Sequence, residues 1–443
     1  MSEHAAGGPI AGDAVRLSEL PVVFMSYDEP WADDTWAALQ SLRPDAHRVQ
    51  GVKGLNACHV AAAEAAGTDW FLTVDADTIL APGFFDVTVP GFLLQPVFRL
   101  DWLSRNALNG LVSGNGCLKL WPRALVMAMR SHEAAPRGQV SLDADIGRIW
   151  PGKSRQVLMP GCYSTTDPAR TPFHAFRAGF REAAFLAHLY ASATSRRASG
   201  PFADTVARTL HVWCSIGAHA PNGLWAIYGA RLGVRMRLGW SGWNVTEVND
   251  YERLARMWQA EILPRIGPGG SRCALTGVTW DAGRLAEECA TLAGPVEAAS
   301  DIVLADFDAE ESRLVAECGL FPTGRFGAGL DALGWAFAKG LGVPVDISAA
   351  RDFFEIAVLM GHPAAMANMG NLHAAGLIPE ADPARAEAYF RAATALGDPH
   401  APYHLARMLQ AKGAEPGRDD EAERLLDLAA ERGFAPDAGG NAA

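Results

Sequence analysis

The C-terminal part of the chain repeats itself, and this is the strongest constraint the sequence places on its fold. Gly361, Gly397 and Gly433 recur at an interval of 36 residues, and Ala357, Ala393 and Ala429 keep the same interval. Phe353, Tyr389 and Leu425 follow in step, with Phe354, Phe390 and Leu426 beside them. Gly334 and Gly340 stand one interval before Gly370 and Gly376, so a partial unit begins near Phe326. Such a period, with small residues where two helices cross, predicts stacked helix pairs whose neighbours bury a continuous core.

The rest of the chain must hold at least one further domain, because 443 residues exceed an ordinary single core of roughly 100–200 residues. Its first half alternates apolar runs with helical stretches. Pro21 to Met25 reads as a strand, Thr35 to Leu42 and Gly54 to Ala66 as helices, and Trp70 to Val74 as a strand. Alternation of this kind predicts a parallel α/β sheet. In open sheets ligands sit beyond the carboxyl ends of the strands, which directs attention to the residues just after Met25 and Val74. The expected division is an α/β domain over 18–265, a linker or irregular helical region over 266–324, and an α/α solenoid of helical repeats over 325–443.

The balance of 49% hydrophobic and 20% charged residues is that of an ordinary globular protein. A net charge of -12 argues against broad electrostatic affinity for nucleic acid, since neutralising phosphates takes a surplus of Lys and Arg. No apolar run approaches the ~18 residues that span a bilayer, and the first residues carry no basic-then-apolar leader. The seven cysteines are scattered without a C-x-x-C pair, as expected of free, mostly buried thiols in a reducing cytoplasm.

Val74-Asp75-Ala76-Asp77 follows the apolar strand Trp70 to Thr73, so strand geometry carries both carboxylates to the sheet edge. In an extended chain, residues two apart face the same side, and two hard oxygen donors can then share one Mg²⁺ or Mn²⁺. Asp-x-Asp also occurs in plain turns, where Asp caps the backbone, so the context decides. His174, Arg177 and Arg181 have helical spacing, and a face offering an imidazole and two guanidiniums suits a diphosphate. Ser113-Gly114-Asn115-Gly116 lets backbone amides approach a ligand, while Arg105 and Lys119 are further candidates to neutralise phosphate. Were the site to activate an acceptor hydroxyl, a carboxylate base would have to face it, and Asp143 or Asp145 is the candidate. Trp213 and Trp225 read first as core residues.

The segment from Gly54 to Asp77, with its Ala-rich helix, small-residue turn and apolar strand ahead of the Asp-x-Asp, resembles the family-2-like GT-A glycosyltransferases. The strand to Met25 followed by Ser26-Tyr27-Asp28-Glu29 is similar to that family's first strand and nucleotide-contacting loop. His59 stands where many members carry Asn. The stretches Trp102 to Pro122 and Arg170 to Glu182 are similar to the TET-associated glycosyltransferases of phages and microbes, and the repeats resemble the Sel-one-like subclass of the tetratricopeptide superfamily. These resemblances imply a Rossmann-like GT-A fold and a Mn²⁺ or Mg²⁺ on Asp75 and Asp77, with His174 as third ligand. They imply a nucleoside-diphosphate-sugar donor held by Ser26, Tyr27, Asp28, Glu29, Lys53, Asn115, Arg177 and Arg181. They further imply an acceptor hydroxyl, that of a hydroxymethylated DNA base in the closer group, and a protein partner on the repeats. Two other readings stay open: a nucleotidyltransferase using the same carboxylates, and a protein-binding scaffold with an inactive transferase domain.

Overall fold

The computed structural model describes residues 14–89, 91–94, 96–113, 117–129, 155–195, 201–239, 243–300, 304, 323–341, 343–359, 362–413 and 417–434. Strands β1 (Val15–Arg16) and β6 (Thr88–Val89) form a small antiparallel pair. The main sheet has eight strands: β2 (Val22–Ser26), β3 (His47–Gln50), β4 (Trp70–Asp75), β5 (Thr78–Leu80), β7 (Phe98–Asn106), β8 (Val112–Ser113), β9 (Leu118–Pro122) and β10 (Arg155–Thr166). Their order is β3-β2-β4-β9-β7-β10-β5, with β8 paired to β7. All five residues of β2 are buried, as expected for a central strand covered on both faces.

The sheet is mixed rather than wholly parallel. Strands β3, β2, β4, β7 and β10 share one direction, while β5, β8 and β9 run against it. The reversals follow from short connections: two residues separate β4 from β5, and five separate β7 from β8. A parallel return needs a crossover of a dozen residues or more, so these strands can only turn back. Pairing of Met25 with Asp75, Ser26 with Gln50 and Asn106 with Thr166 brings the carboxyl ends of all five parallel strands to one edge.

Helices α1 (Ala32–Leu42) and α2 (Leu55–Ala66) make the crossovers between β2, β3 and β4. Gly67 ends α2 in the left-handed region at φ 66°, its N–H donating to the Ala63 carbonyl, the conformation only glycine adopts cheaply. After the short α3 (Arg123–Ala128) and β10 comes a helical layer of α4 (Pro172–Ser195), α5 (Pro201–Ser215) and α6 (Gly223–Gly239). Helices α4 and α6 approach backbone to backbone. A Cβ on Gly179 would lie 1.9 Å from the Ala226 carbonyl, and one on Gly229 would lie 2.2 Å from that of Phe176.

Helix α7 (Tyr251–Met257) passes through a π-helical turn (Trp258–Ile262) into α8 (Leu263–Ile266). The region expected as a linker or irregular helical stretch holds the hairpin β11 (Ser271–Arg272) and β12 (Thr279–Trp280), then helix α9 (Ala282–Ser300). Leu285, Cys289, Leu292 and Val296 of α9 bury themselves in the same cluster as Trp225 and Trp258. The buried Arg231 ties the layer together by donating to the carbonyls of Cys214 (2.8 Å) and Cys289 (2.7 Å).

Among the described residues six repeat helices follow: α10 (Thr323–Lys339), α11 (Ile347–Leu359), α12 (Pro363–Ala374), α13 (Pro383–Ala395), α14 (Ala401–Ala411) and α15 (Arg418–Glu431). The 36-residue interval reappears as repeated contacts. A Cβ on Gly334 would stand 2.6 Å from the Phe354 ring, and one on Gly370 the same distance from the Phe390 ring. In the third pair the equivalent positions carry Ala406 and Leu426, so the extra methyl appears where the ring is replaced by a smaller side chain. Asp346 and Asp382 cap α11 and α13 through the amides of Ala349 (2.9 Å) and Ala384 (2.8 Å).

The array is not a separate appendage. Ala332 and Ala336 of α10 are buried in the cluster that also holds Phe98, Leu100 and Val157 of the sheet, and Trp335 lies against Phe98 with ring centroids 6.4 Å apart. Among the described residues no helix is long and apolar enough to cross a membrane.

Candidate functional site

The edge where the parallel strands end carries a concentration of negative charge. Asp75 closes β4, and Ala76-Asp77 form the turn into β5, so the two aspartates are set by a tight reversal rather than by an extended run. The turn is fastened at its middle. The Ala76 carbonyl accepts from Trp31 Nε1 (3.1 Å) and Thr35 Oγ1 (2.8 Å). Asp167, just after β10, donates its amide to the Asp77 carbonyl (2.8 Å), while Arg170 (3.1 Å) holds its carboxylate.

Electrostatics report how closely these groups gather. The Asp77 carboxyl is pushed up to about 6, by burial first and then by the charge of Glu29, with Asp167 adding to it; the Thr78 hydroxyl, donating at 3.3 Å, opposes the shift. Burial pushes the Cys117 thiol well up, and Asp77 and Asp75 push it further. Cys58 rises to about 12 by burial, then through Asp75 and Glu29. Thus Glu29 and Asp167 bear on Asp77, while Asp75 acts with Glu29 on Cys58 and with Asp77 on Cys117, so like charges gather along this edge, an arrangement that costs stability and recurs where a site has a task.

The loop after β2 forms one wall. Ser26 ends the strand buried, its hydroxyl without a hydrogen-bond partner among the described residues. Tyr27 and Asp28 are exposed, and Glu29 folds back to accept the Tyr27 amide (2.8 Å). Lys53, beyond β3, pairs with Glu252 at 2.7 Å, both side chains exposed.

Opposite lies the first part of α4. Thr171 caps it, accepting the His174 amide (3.2 Å) and sharing a hydrogen bond with His174 Nδ1 (2.7 Å). The His174 ring stands edge-on to Trp31 at 4.8 Å. Burial, then the Arg177 cation, push its pKa down to about 3, so it stays neutral. One and two turns on, Arg177 and Arg181 lie over the Tyr251 ring at 4.5 and 4.7 Å. Burial pulls Arg177 below the ordinary arginine value and Arg181 adds to this, whereas Tyr251, Asp28 and Glu29 pull the other way.

Of the residues predicted from sequence, the structure brings Glu29, Asp75 and Asp77 together and sets Asp28, Arg177 and Arg181 close by. His174 does not join Asp75 and Asp77 as a ligand: it is occupied with Thr171 and Trp31, and no group of three or more His, Cys, Asp or Glu placed to hold a metal occurs among the described residues. Lys53 is engaged with Glu252 rather than open. Asn115, Asp143 and Asp145 lie outside the described residues. Lys119 is buried within the sheet, and Trp213 and Trp225 are core residues. Asp167, Tyr251 and Trp31 were missed. Asp167 has a signal in hindsight, a lone acid between a strand and a proline, whereas nothing near Tyr251 marks it.

Two carboxylates suit a hard cation that takes its remaining ligands from phosphate oxygens and water, rather than one caged wholly by protein. The crowd of like charge around Asp77 is what such a cation would relieve.

The comparisons concern the repeats. The Sel1 repeat family matches residues 328–362 and 363–398. No curated protein matches the chain significantly. Among solved structures, a protective antigen of uropathogenic Escherichia coli strains displaying an SLR fold is similar at 19% identity and a TM-score of 0.24, over 54% of this chain. The chain spans 56% of that antigen's length. A Sel1 repeat protein from Oxalobacter formigenes is similar at 15% identity and a TM-score of 0.24, covering 59% of this chain and 88% of that one. The C-terminal array of this protein is therefore built, over residues 328–398, from Sel1 repeats.

Proposed function

We propose that the front part is a GT-A-like glycosyltransferase that moves a sugar from a nucleoside diphosphate to an acceptor hydroxyl. The observation that supports this reading is that Glu29, at the edge where five parallel strands end, lies within electrostatic reach of both Asp77 and Arg177. A donor diphosphate needs such a pairing: carboxylates for the cation that neutralises it, and guanidiniums for oxygens the cation does not reach.

Asp75 and Asp77 would hold Mn²⁺ or Mg²⁺, which stabilises the charge developing on the departing nucleoside diphosphate. Trp31 and Thr35 keep the aspartate turn in place through the Ala76 carbonyl. The Ser26 to Glu29 loop would contact the nucleoside, and Arg177 would donate to a phosphate oxygen. His174, neutral and held by Thr171, supports the wall of the cleft instead of binding metal. A hydroxymethylated DNA base is one acceptor to test, and the repeats provide a surface on which a protein partner could dock.

The test is donor hydrolysis by the full chain across nucleotide-sugars, with and without Mn²⁺. Hydrolysis is expected to require the cation and to fall about 10³-fold in Asp77→Ala, corresponding to several kcal/mol of charge stabilisation. Activity indifferent to Asp77 would overturn the assignment, and release of pyrophosphate instead of nucleoside diphosphate would replace it with nucleotidyl transfer.

A further inference from the structure

Arg177 differs from nearly every other guanidinium in this site. Arg170 is committed to Asp167 at 3.1 Å, and Arg181 donates to the Val248 carbonyl (2.9 Å) and to Asn249 Oδ1 (3.2 Å). Arg177, half-buried, makes no hydrogen bond and no ion pair among the described residues. It is held by rings instead, with the Phe173 ring centroid at 5.6 Å and that of Tyr251 at 4.5 Å. Arg181 shares the same Tyr251 ring at 4.7 Å.

This is an unusual way to fix a cation. A guanidinium normally gains its orientation from a carboxylate, which consumes the donors on its edge. An aromatic face holds the plane of the group and leaves its N–H edge unused. Two cations brought onto one ring also repel each other, so the arrangement favours an incoming anion. Tyr251 is 43% exposed, and among the described residues its hydroxyl makes no hydrogen bond. The ring, rather than the phenol, is what the arrangement uses.

We propose that Phe173, Arg177, Arg181 and Tyr251 form a preset phosphate seat, in which Arg177 is the binding residue and Tyr251 a positioning residue that stands in for a carboxylate. The seat works without the divalent cation. The proposal rests on the transferase reading only for the phosphate's carrier, which is either the donor's diphosphate or a phosphodiester of the acceptor.

The test is calorimetric binding to the full chain, in EDTA, of two probes: inorganic pyrophosphate and a short single-stranded oligonucleotide. Arg177→Gln is expected to weaken binding about 10-fold or more, the loss of a charge-assisted contact. Tyr251→Leu should weaken it about 3-fold and Tyr251→Phe restore it, because only the ring is needed. Unfolding midpoints of the variants establish that they remain folded, and the rescue by Phe separates positioning from general support. An effect on pyrophosphate supports the seat and names the donor as carrier. An effect confined to the oligonucleotide supports it and names the acceptor. If neither probe binds, or both bind Arg177→Gln as they bind the wild type, the seat does not exist. Loss of cation-dependent hydrolysis in Asp77→Ala bears on the transferase reading alone, so the two can fail separately.

Discussion

The sheet edge and the repeat array handle charge in opposite ways. At the edge, burial first, and then the charges of Glu29 and Asp167, drive the carboxyl of Asp77 up to about 6. On the array, charges alternate and pair: Arg351 with Glu380 at 3.3 Å, Arg391 with Glu421 at 2.6 Å, and Lys412 with Glu387. One region keeps like charges together at a cost to stability, as sites that must bind something do. The other places opposite charges on an already packed surface, where each pair contributes little. The array draws its stability from contacts such as Gly370 against Phe390, whereas the edge gathers groups that folding alone would separate.

The contrast can be broken most forcefully at Asp77. Its folded-state pKa lies above the ordinary carboxylate value, so the stability it contributes is present at low pH and is lost as pH rises from about 4 through about 6. In metal-free protein at pH 7, Asp77→Asn is therefore expected to raise the unfolding free energy by about 3 kcal/mol, and in cation-loaded protein to abolish transfer. The gain should disappear near pH 4. Denaturant melts at both pH values measure it, and a destabilised Asn variant would mean that the edge is not strained by like charge.

The second prediction sharpens the array's side. Gly370→Ala gains ~1 kcal/mol of helix propensity but forces a methyl into the Phe390 ring, an overpacking of about 1–3 kcal/mol. A net loss of about 1 kcal/mol is expected. Adding Phe390→Leu recreates the Ala406 and Leu426 pair of the third unit and should recover it, as a double-mutant cycle would show. Additive losses would mean that the equivalence between units is one of sequence only. The smallest effect belongs to Arg391→Ala. Despite two acidic partners, it should cost no more than about 1 kcal/mol, and less in high salt, because the network is solvent-exposed.

Legibility in the sequence follows the same division. The repeats are readable because each unit solves one packing problem again, so Gly334 and Gly370, or Phe354 and Phe390, announce themselves by interval. Strands β2 and β4 are readable because a fully buried strand is an apolar run. Strand β7 is not, since Arg99 and Asp101 interrupt it. They pair with each other inside the sheet at 2.6 Å, and buried pairs of this kind look like surface from sequence. The 266–324 region hides α9 behind Pro295, which sits inside the helix. At the site, Asp75 and Asp77 stand out by adjacency to a strand. Tyr251 cannot, because its importance comes from α4, which lies more than fifty residues earlier and meets it only in the folded chain.

The docking of α10 into the sheet's core bears on how the array can work. Ala332, Trp335 and Ala336 count as repeat residues by interval, yet they help wall the apolar interior around Phe98 and Val157. They meet the sheet where β7 and β10 begin, away from the ends that carry the carboxylates. The first repeat is thus a graft rather than a hinge. Cargo gripped by the later helices would be carried at a fixed bearing to the acidic rim, and trimming the chain ahead of α10 would leave an oily scar on the sheet instead of a clean cut.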